Sequence, residues 1–117
     1  MKSMLKSLLT TTLHPAKLPN MKMRALDPLL GTPARLAIMA TLADGRDWTF
    51  TELREATGLA DGNLHVQTAK LAEGGYLRIR KIKRGARTAT CYRAEDEGQE
   101  ALRRHVEKLQ RAIAGQH

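Results

Sequence analysis

The chain has 117 residues, 42 % of them hydrophobic and 3 % aromatic, with 20 basic and 12 acidic side chains. That is room for one small domain with an aliphatic core, and it excludes a fully disordered chain. One cysteine, Cys91, excludes an internal disulfide framework and a multi-cysteine metal cage, and fits a reducing cytosol.

The net charge of +8 is unevenly spread. Residues 1–27 carry +4, residues 28–75 carry −2, residues 76–93 carry +7 without one acid, and residues 94–117 carry −1. A basic stretch that local suits a polyanion, nucleic acid before an anionic membrane.

Residues 1–25 read as an N-terminal arm. Leu5, Leu8, Leu9 and Leu13 recur at the spacing of a short amphipathic helix. Three readings stay open: an extra helix against a partner chain, a disordered arm, or residues ahead of a natural start at Met21 or Met23. The apolar part is too short for a signal peptide, and no run of about 18 apolar residues is present to span a membrane.

Asp27-Pro28 is a helix entry, repeated by Thr32-Pro33 after Gly31. A helix over 33–43 follows, with Leu36, Met39, Ala40 and Leu42-Ala43 on its apolar face. Trp48 to Phe50 form a short β-prone stretch. Thr51 is placed to cap a second helix ending at Gly58, with Leu53 and Ala56 inward. Asp61 is placed to cap a third, running to about Gly74, with Leu64, Thr68 and Leu71 inward and Gly75 in the left-handed conformation. Two β-like runs, 76–83 and 87–93, flank Arg84-Gly85-Ala86 and predict a hairpin with a basic tip. From Glu95 a last helix carries Leu102, Val106, Leu109 and Ile113 at the spacing of a coiled-coil seam, which predicts dimerisation.

The order is helix, short strand, short helix, tight turn, helix, basic hairpin, helix. This predicts a mainly α fold with a small β-hairpin: a winged helix-turn-helix over 26–94 and a dimerisation helix over 95–117. A single helix fits the major groove of B-DNA, and a basic hairpin beside it lies along phosphates or in the minor groove. With Leu64 and Leu71 inward, the outer face of the third helix carries Asn63, Val66, Ala69 and Lys70, with His65 on its flank. Asn63 suits adenine or a phosphate, His65 a phosphate or a base, Val66 a thymine methyl, and Lys70 a phosphate. Lys81, Lys83, Arg84 and Arg87 of the hairpin suit phosphates or the minor groove. Arg78, Arg80 and Arg93 lie nearer the hairpin base and receive no individual role.

Three segments together resemble the winged-helix transcription regulators of the MarR/ArsR type. They are RLAIMATLA (35–43), FTELREATGLADGNLHVQTAKLAEGGYL (50–77) and RGARTATCYRAEDEGQEAL (84–102). The resemblance spans roughly 26–113 and is nearest to a subgroup whose recognition helix opens with Asp-Gly-Asn-Leu. It departs at Gln67-Thr68, where many relatives have His-Leu. The resemblance implies a cytoplasmic homodimer that binds duplex DNA at an inverted repeat and regulates transcription. The metal-sensing relatives carry Glu-Leu-Cys-x-Cys; here Glu52, Leu53, Arg54, Glu55 and Ala56 stand in its place, so no metal site is expected. His105 and His117 lack the spacing of the family's second metal site, and His105 reads as a surface or interface residue. No cofactor is implied, and no convergent polar set marks an effector pocket. Cys91 reads as a small core residue.

No Ser-His-Asp set, Gly-rich phosphate loop or paired-acid cleft is present, which argues against an enzyme. Two other readings are open. Winged helices also serve as protein-docking modules without specific DNA binding. A basic domain lying on a membrane through Leu5–Leu13 is the third.

Overall fold

The computed structural model describes residues 26–115. The expected helical spacing at Leu5–Leu13, the arm over 1–25 and His117 lie outside the described residues.

Asp27 caps a single turn rather than opening a helix. Its Oδ1 accepts from the backbone N–H groups of Leu29 (2.8 Å) and Leu30 (3.3 Å). The reason is Pro33: the residue before a proline avoids the helical region, and Thr32 is extended at φ −97°, ψ 143°. Helix α1, Pro33–Thr41, therefore starts afresh, with Thr32 Oγ1 accepting from the Arg35 N–H. It tightens into a 3-10 turn over Leu42–Asp44 and stops at Gly45, φ 77°. Ile38, Met39 and Leu42 are buried, while Ala40 and Ala43 are exposed and Leu36 is half-buried. The inner face is thus rotated from the expected one. The run from Leu36 to Ala40 is apolar on every side, so periodicity alone leaves its phase open.

Strand β1 is Trp48–Thr49, and Phe50 already belongs to helix α2, Phe50–Thr57. Its cap is Thr49, not Thr51. Thr49 Oγ1 accepts from the Glu52 N–H (3.2 Å) while Glu52 Oε1 accepts from the Thr49 N–H (2.9 Å). This is a reciprocal capping box, which needs an acid three residues after the cap; Thr49 has one and Thr51 does not. Leu53 is buried, whereas Ala56 is exposed. Gly58, φ 73°, ends α2. Arg54 and Asp61 span the turn that follows at 3.2 Å.

Helix α3 is Asp61–Glu73, and its N-cap is Ala60, which is extended and offers no side-chain bond. Asp61 is the first helical residue and acts instead as a negative charge at the helix's positive end. The C-terminus closes as a Schellman motif: the Tyr76 N–H bonds the Leu71 carbonyl (2.9 Å) and the Gly75 N–H that of Ala72 (3.0 Å). Gly75 has φ 80°, as expected.

Strands β2, Leu77–Arg84, and β3, Arg87–Ala94, pair antiparallel with Arg84 opposite Arg87. The turn is therefore Gly85-Ala86 alone. Of the two, only Gly85 has positive φ (63°), the pattern of a type II′ hairpin turn. β1 joins the other edge of β3, with Trp48 opposite Tyr92, giving the order β1-β3-β2. Helix α4, Asp96–Ala114, lays Gly98, Ala101, His105 and Ala112 inward. His105 is thus buried, not a surface residue, and its Nδ1 has no hydrogen-bond partner among the described residues.

One core joins these elements: Leu30, Ile38, Met39, Leu42, Leu53, Leu64, Leu71, Leu77, Tyr92, Ala94 and Ala101. It is aliphatic apart from Tyr92, as the composition requires. Its effect is to hold α3 by one side only, leaving the other side to solvent.

Candidate nucleic-acid interface

The inner row of α3 is Leu64, Thr68 and Leu71, each essentially inaccessible. Thr68 fits there because its hydroxyl donates back to the carbonyl of Leu64 (2.8 Å), so no buried polar atom is stranded. The opposite face presents Asn63, His65, Val66, Ala69 and Lys70, all exposed. Val66 keeps 50 % of its surface in water, an apolar methyl pair on an otherwise polar row.

The imidazole of His65 stacks on the Phe50 ring with centroids 4.4 Å apart and planes inclined by 20°. The first residue of α2 thereby sets the ring plane of a residue on α3. Asn63 is also held. Its Oδ1 accepts from Gln67 Nε2 at 3.0 Å, and Gln67 Oε1 accepts from Arg35 Nη1 at 2.8 Å. The Arg35 guanidinium is itself anchored on the carbonyls of Leu29 (2.6 Å) and Pro28 (3.3 Å). The sequence patterns above single out none of Phe50, Gln67 and Arg35 for this face. The Asn63–Gln67 pair, four apart on one helix, is a signal that could have found Gln67. Nothing local points Arg35 at a residue 32 positions away.

In the wing, Lys81, Lys83, Arg84 and Arg87 are exposed, and none forms an ion pair with a carboxylate among the described residues. The arginines nearer its base are different. Asp47 takes Arg80 and Arg93, each at 3.0 Å, and Glu95 takes Arg78 at 3.2 Å. The hydrogen bond from Arg93, with a smaller contribution from Arg80, holds the Asp47 carboxyl below its usual range. Three of the seven cations of 76–93 are therefore paired with two carboxylates at the base of the wing, while the four toward the tip have no carboxylate within ion-pair distance among the described residues, Arg84 acting only at longer range on Glu52.

The turn between α1 and β1 is ordered in the same manner. Asp44 accepts from the Arg46 backbone and side chain and from Trp48 Nε1, while Arg46 lies 4.8 Å over the Trp48 ring. These bonds, the Arg46 backbone N–H first, bring the Asp44 carboxyl down to about 2.

On α4, Leu102, Leu109 and Ile113 are half-buried and Val106 is 40 % exposed, beside a groove shared with Ala43, Gln99 and Gln110. Cys91 is buried in β3. Among the described residues, no group of three His, Cys, Asp or Glu side chains is arranged to hold a metal ion, and no helix is long and apolar enough to cross a membrane.

No curated protein matches the chain. Among solved structures it is similar to a transcriptional regulator homologue from Pyrococcus horikoshii OT3, with a TM-score of 0.71 and 28 % identity over 86 % of this chain and 94 % of that one. It is similar to Rv0081 of M. tuberculosis, with a TM-score of 0.63 and 29 % identity over 75 % and 85 %. The fold also matches YusO of Bacillus subtilis, with a TM-score of 0.70 and 17 % identity over 97 % and 75 %. The sequence profile of the winged helix DNA-binding domain matches residues 34–113, and with a helix-turn-helix, a wing and a match of that extent the chain belongs to this family.

Proposed function

We propose that the protein is a sequence-specific transcription regulator that binds duplex DNA as a homodimer on an inverted repeat. The observation that carries this reading is the pairing of one exposed helix face with unneutralised wing cations. α3 presents Asn63, His65, Val66 and Lys70 outward, and Lys81, Lys83, Arg84 and Arg87 stand beyond the arginines that pair with Asp47 and Glu95. In this reading the helix row meets base edges in the major groove, and the wing grips the sugar-phosphate chain. Leu102, Val106, Leu109 and Ile113 pair with the same stripe of a second copy. A twofold dimer of this kind sets its recognition helices about 34–36 Å apart, one turn of DNA. Regulation follows from occupancy, by blocking polymerase. The solved relative from P. horikoshii, described as a transcriptional regulator homologue, supports the same reading.

The test is selection from a random duplex pool, followed by mobility shift of the selected site under titrated salt. An inverted repeat is expected, with affinity falling steeply as salt rises. Lys83→Ala combined with Arg84→Ala should reduce the log–log salt slope of the homodimer by about 4, roughly one for each of the four phosphates, two per subunit, that no longer meet a cation. Affinity that barely changes between low and moderate salt, or no duplex selected, would overturn the proposal and leave the wing as a protein-docking surface.

A further inference from the structure

We infer that Asn63 reads its base as a hydrogen-bond donor, its amide turned that way by a relay running from Arg35 through Gln67. The inference rests on the DNA-regulator reading above and adds to it the chemical class of base that one residue recognises.

Arg35 is the member of this relay whose polarity is not ambiguous. A guanidinium carries donors and no acceptor. The Arg35 guanidinium is fixed from behind by the carbonyls of Leu29 and Pro28, and its remaining arm reaches Gln67 at 2.8 Å. The atom of Gln67 that faces it must be the carbonyl oxygen. The Gln67 nitrogen then faces the other way, toward Asn63 at 3.0 Å, and it can only donate. The atom of Asn63 that meets it must be Oδ1. Either amide alone could be turned over without changing its shape. Arg35 removes that freedom from both in sequence.

The consequence lies in what Asn63 has left. Its oxygen and nitrogen diverge from Cγ like the arms of a fork. The oxygen arm is committed along the helix to Gln67. The nitrogen arm, with two N–H groups on an exposed side chain, has no acceptor among the described residues. Bidentate reading of adenine requires both arms to face one base, the oxygen accepting from N6 and the nitrogen donating to N7. That is the pairing the residue type alone suggests; here Oδ1 already accepts from Gln67 and keeps only its second lone pair, while both N–H groups stay open. In the major groove guanine offers N7 and O6 and thymine offers O4, all acceptors; adenine offers the N7 acceptor beside its N6 donor, and cytosine offers a donor alone. Asn63 therefore matches guanine, thymine, or adenine through N7, and not cytosine.

The relay can be inverted with almost no change in shape. In Gln67→Glu the side chain has acceptors only. One oxygen still takes Arg35; the other takes the Asn63 nitrogen, and the Asn63 oxygen turns outward. In Gln67→Ala the amide is unheld and free to present either arm.

The experiment is random-duplex selection with the full chain and with its Asn63→Ala, Gln67→Glu and Gln67→Ala variants, each checked for an unchanged thermal melt. Asn63→Ala marks the position that Asn63 reads, by loss of preference there. The unaltered chain should exclude cytosine at that position and select guanine, thymine or adenine; replacing a selected purine by its 7-deaza analogue tells recognition of N7 from recognition of guanine O6. Gln67→Glu should admit cytosine and disfavour guanine and thymine, by about tenfold, the low end of what one base pairing discriminates. Gln67→Ala should flatten the preference while overall affinity is kept. Cytosine selected by the unaltered chain, cytosine still excluded or guanine or thymine still selected in Gln67→Glu, or an equal loss on all sequences in Asn63→Ala would overturn the inference. The last of these would mean that Asn63 holds a phosphate. If the unaltered chain selects no duplex, the regulator reading itself fails; if it selects an operator and the Gln67 variants read it unchanged, only the relay fails.

Discussion

At the scale of single residues, Gly98 shows how closely α4 is fitted to the body of the domain, and Tyr76 ties the turn before α1 to the end of α3. Gly98 sits inside a helix, where glycine ordinarily costs about 1 kcal/mol relative to alanine. The reason is a close approach. A Cβ there would fall inside the van der Waals shell of the Tyr76 carbonyl oxygen and 2.8 Å from Met39 Cε. That carbonyl cannot simply retreat, because it accepts the Glu95 N–H at 3.0 Å. Gly98→Ala is expected to destabilise the fold by about 1–3 kcal/mol, as overpacking does, measured by urea unfolding. Tyr76 supplies the second case. Its hydroxyl donates to Asp27 Oδ2 at 2.6 Å, and burial first, then the Asp27 carboxylate, pushes the phenol up from 10.0 to about 12. The unfolded chain loses this proton first. The contribution is therefore fully present below pH 10 and is lost as pH rises from 10 toward 12. Tyr76→Phe has no such slope, so the stability gap between parent and variant should narrow between these pH values in equilibrium unfolding.

At the scale of elements, the local chemistry of ends and turns decided where each begins. The pattern Thr49-x-x-Glu52 is a complete capping signal, and it is hidden when Phe50 is assigned to the strand, which moves the expected cap to Thr51. Thr49→Ala should cost about 1 kcal/mol of stability. Thr51→Ala, at an exposed helical position, should stay within about 0.5 kcal/mol. Equal losses in thermal melts of the two would contradict the cap assignment. The wing was legible because its signals are also local: alternating β-prone runs, a turn expected over Arg84-Gly85-Ala86 that the pairing of Arg84 with Arg87 narrows to Gly85-Ala86, and basic residues toward the tip. Its inner arginines were not, since Asp47 reaches Arg93 across 46 positions. A wing cation with no carboxylate beside it and one paired with Asp47 look alike until the sheet folds.

At the scale of the whole molecule, the open question is what covers the outer stripe of α4. The nineteen residues of this helix bury one face through Gly98, Ala101, His105 and Ala112. The adjacent stripe of Leu102, Val106, Leu109 and Ile113 keeps apolar surface in water. Val106→Glu should leave the monomer fold intact, because Val106 is already 40 % exposed. Under the proposed homodimer it should yield a monomer in sedimentation and lose cooperative binding to an inverted repeat, while weak binding to a single half-site persists. A dimer that survives the charge would place the interface elsewhere.

The sequence by itself determined the order of elements, the winged helix-turn-helix, the buried row Leu64-Thr68-Leu71 and the concentration of positive charge on the hairpin. Each of these is written in residues a few positions apart, through helical or strand period, capping and turn chemistry. Only the tertiary structure decided which face of α1 is inner, that His105 is buried, that Gly98 meets the Tyr76 carbonyl, and that Arg35 holds Gln67 and through it Asn63. Those pairings join elements dozens of residues apart, and they depend on the rotation and depth at which one packed helix settles on another. A local pattern states that an apolar face exists; the docking of that face fixes which polar atoms are brought within reach of one another.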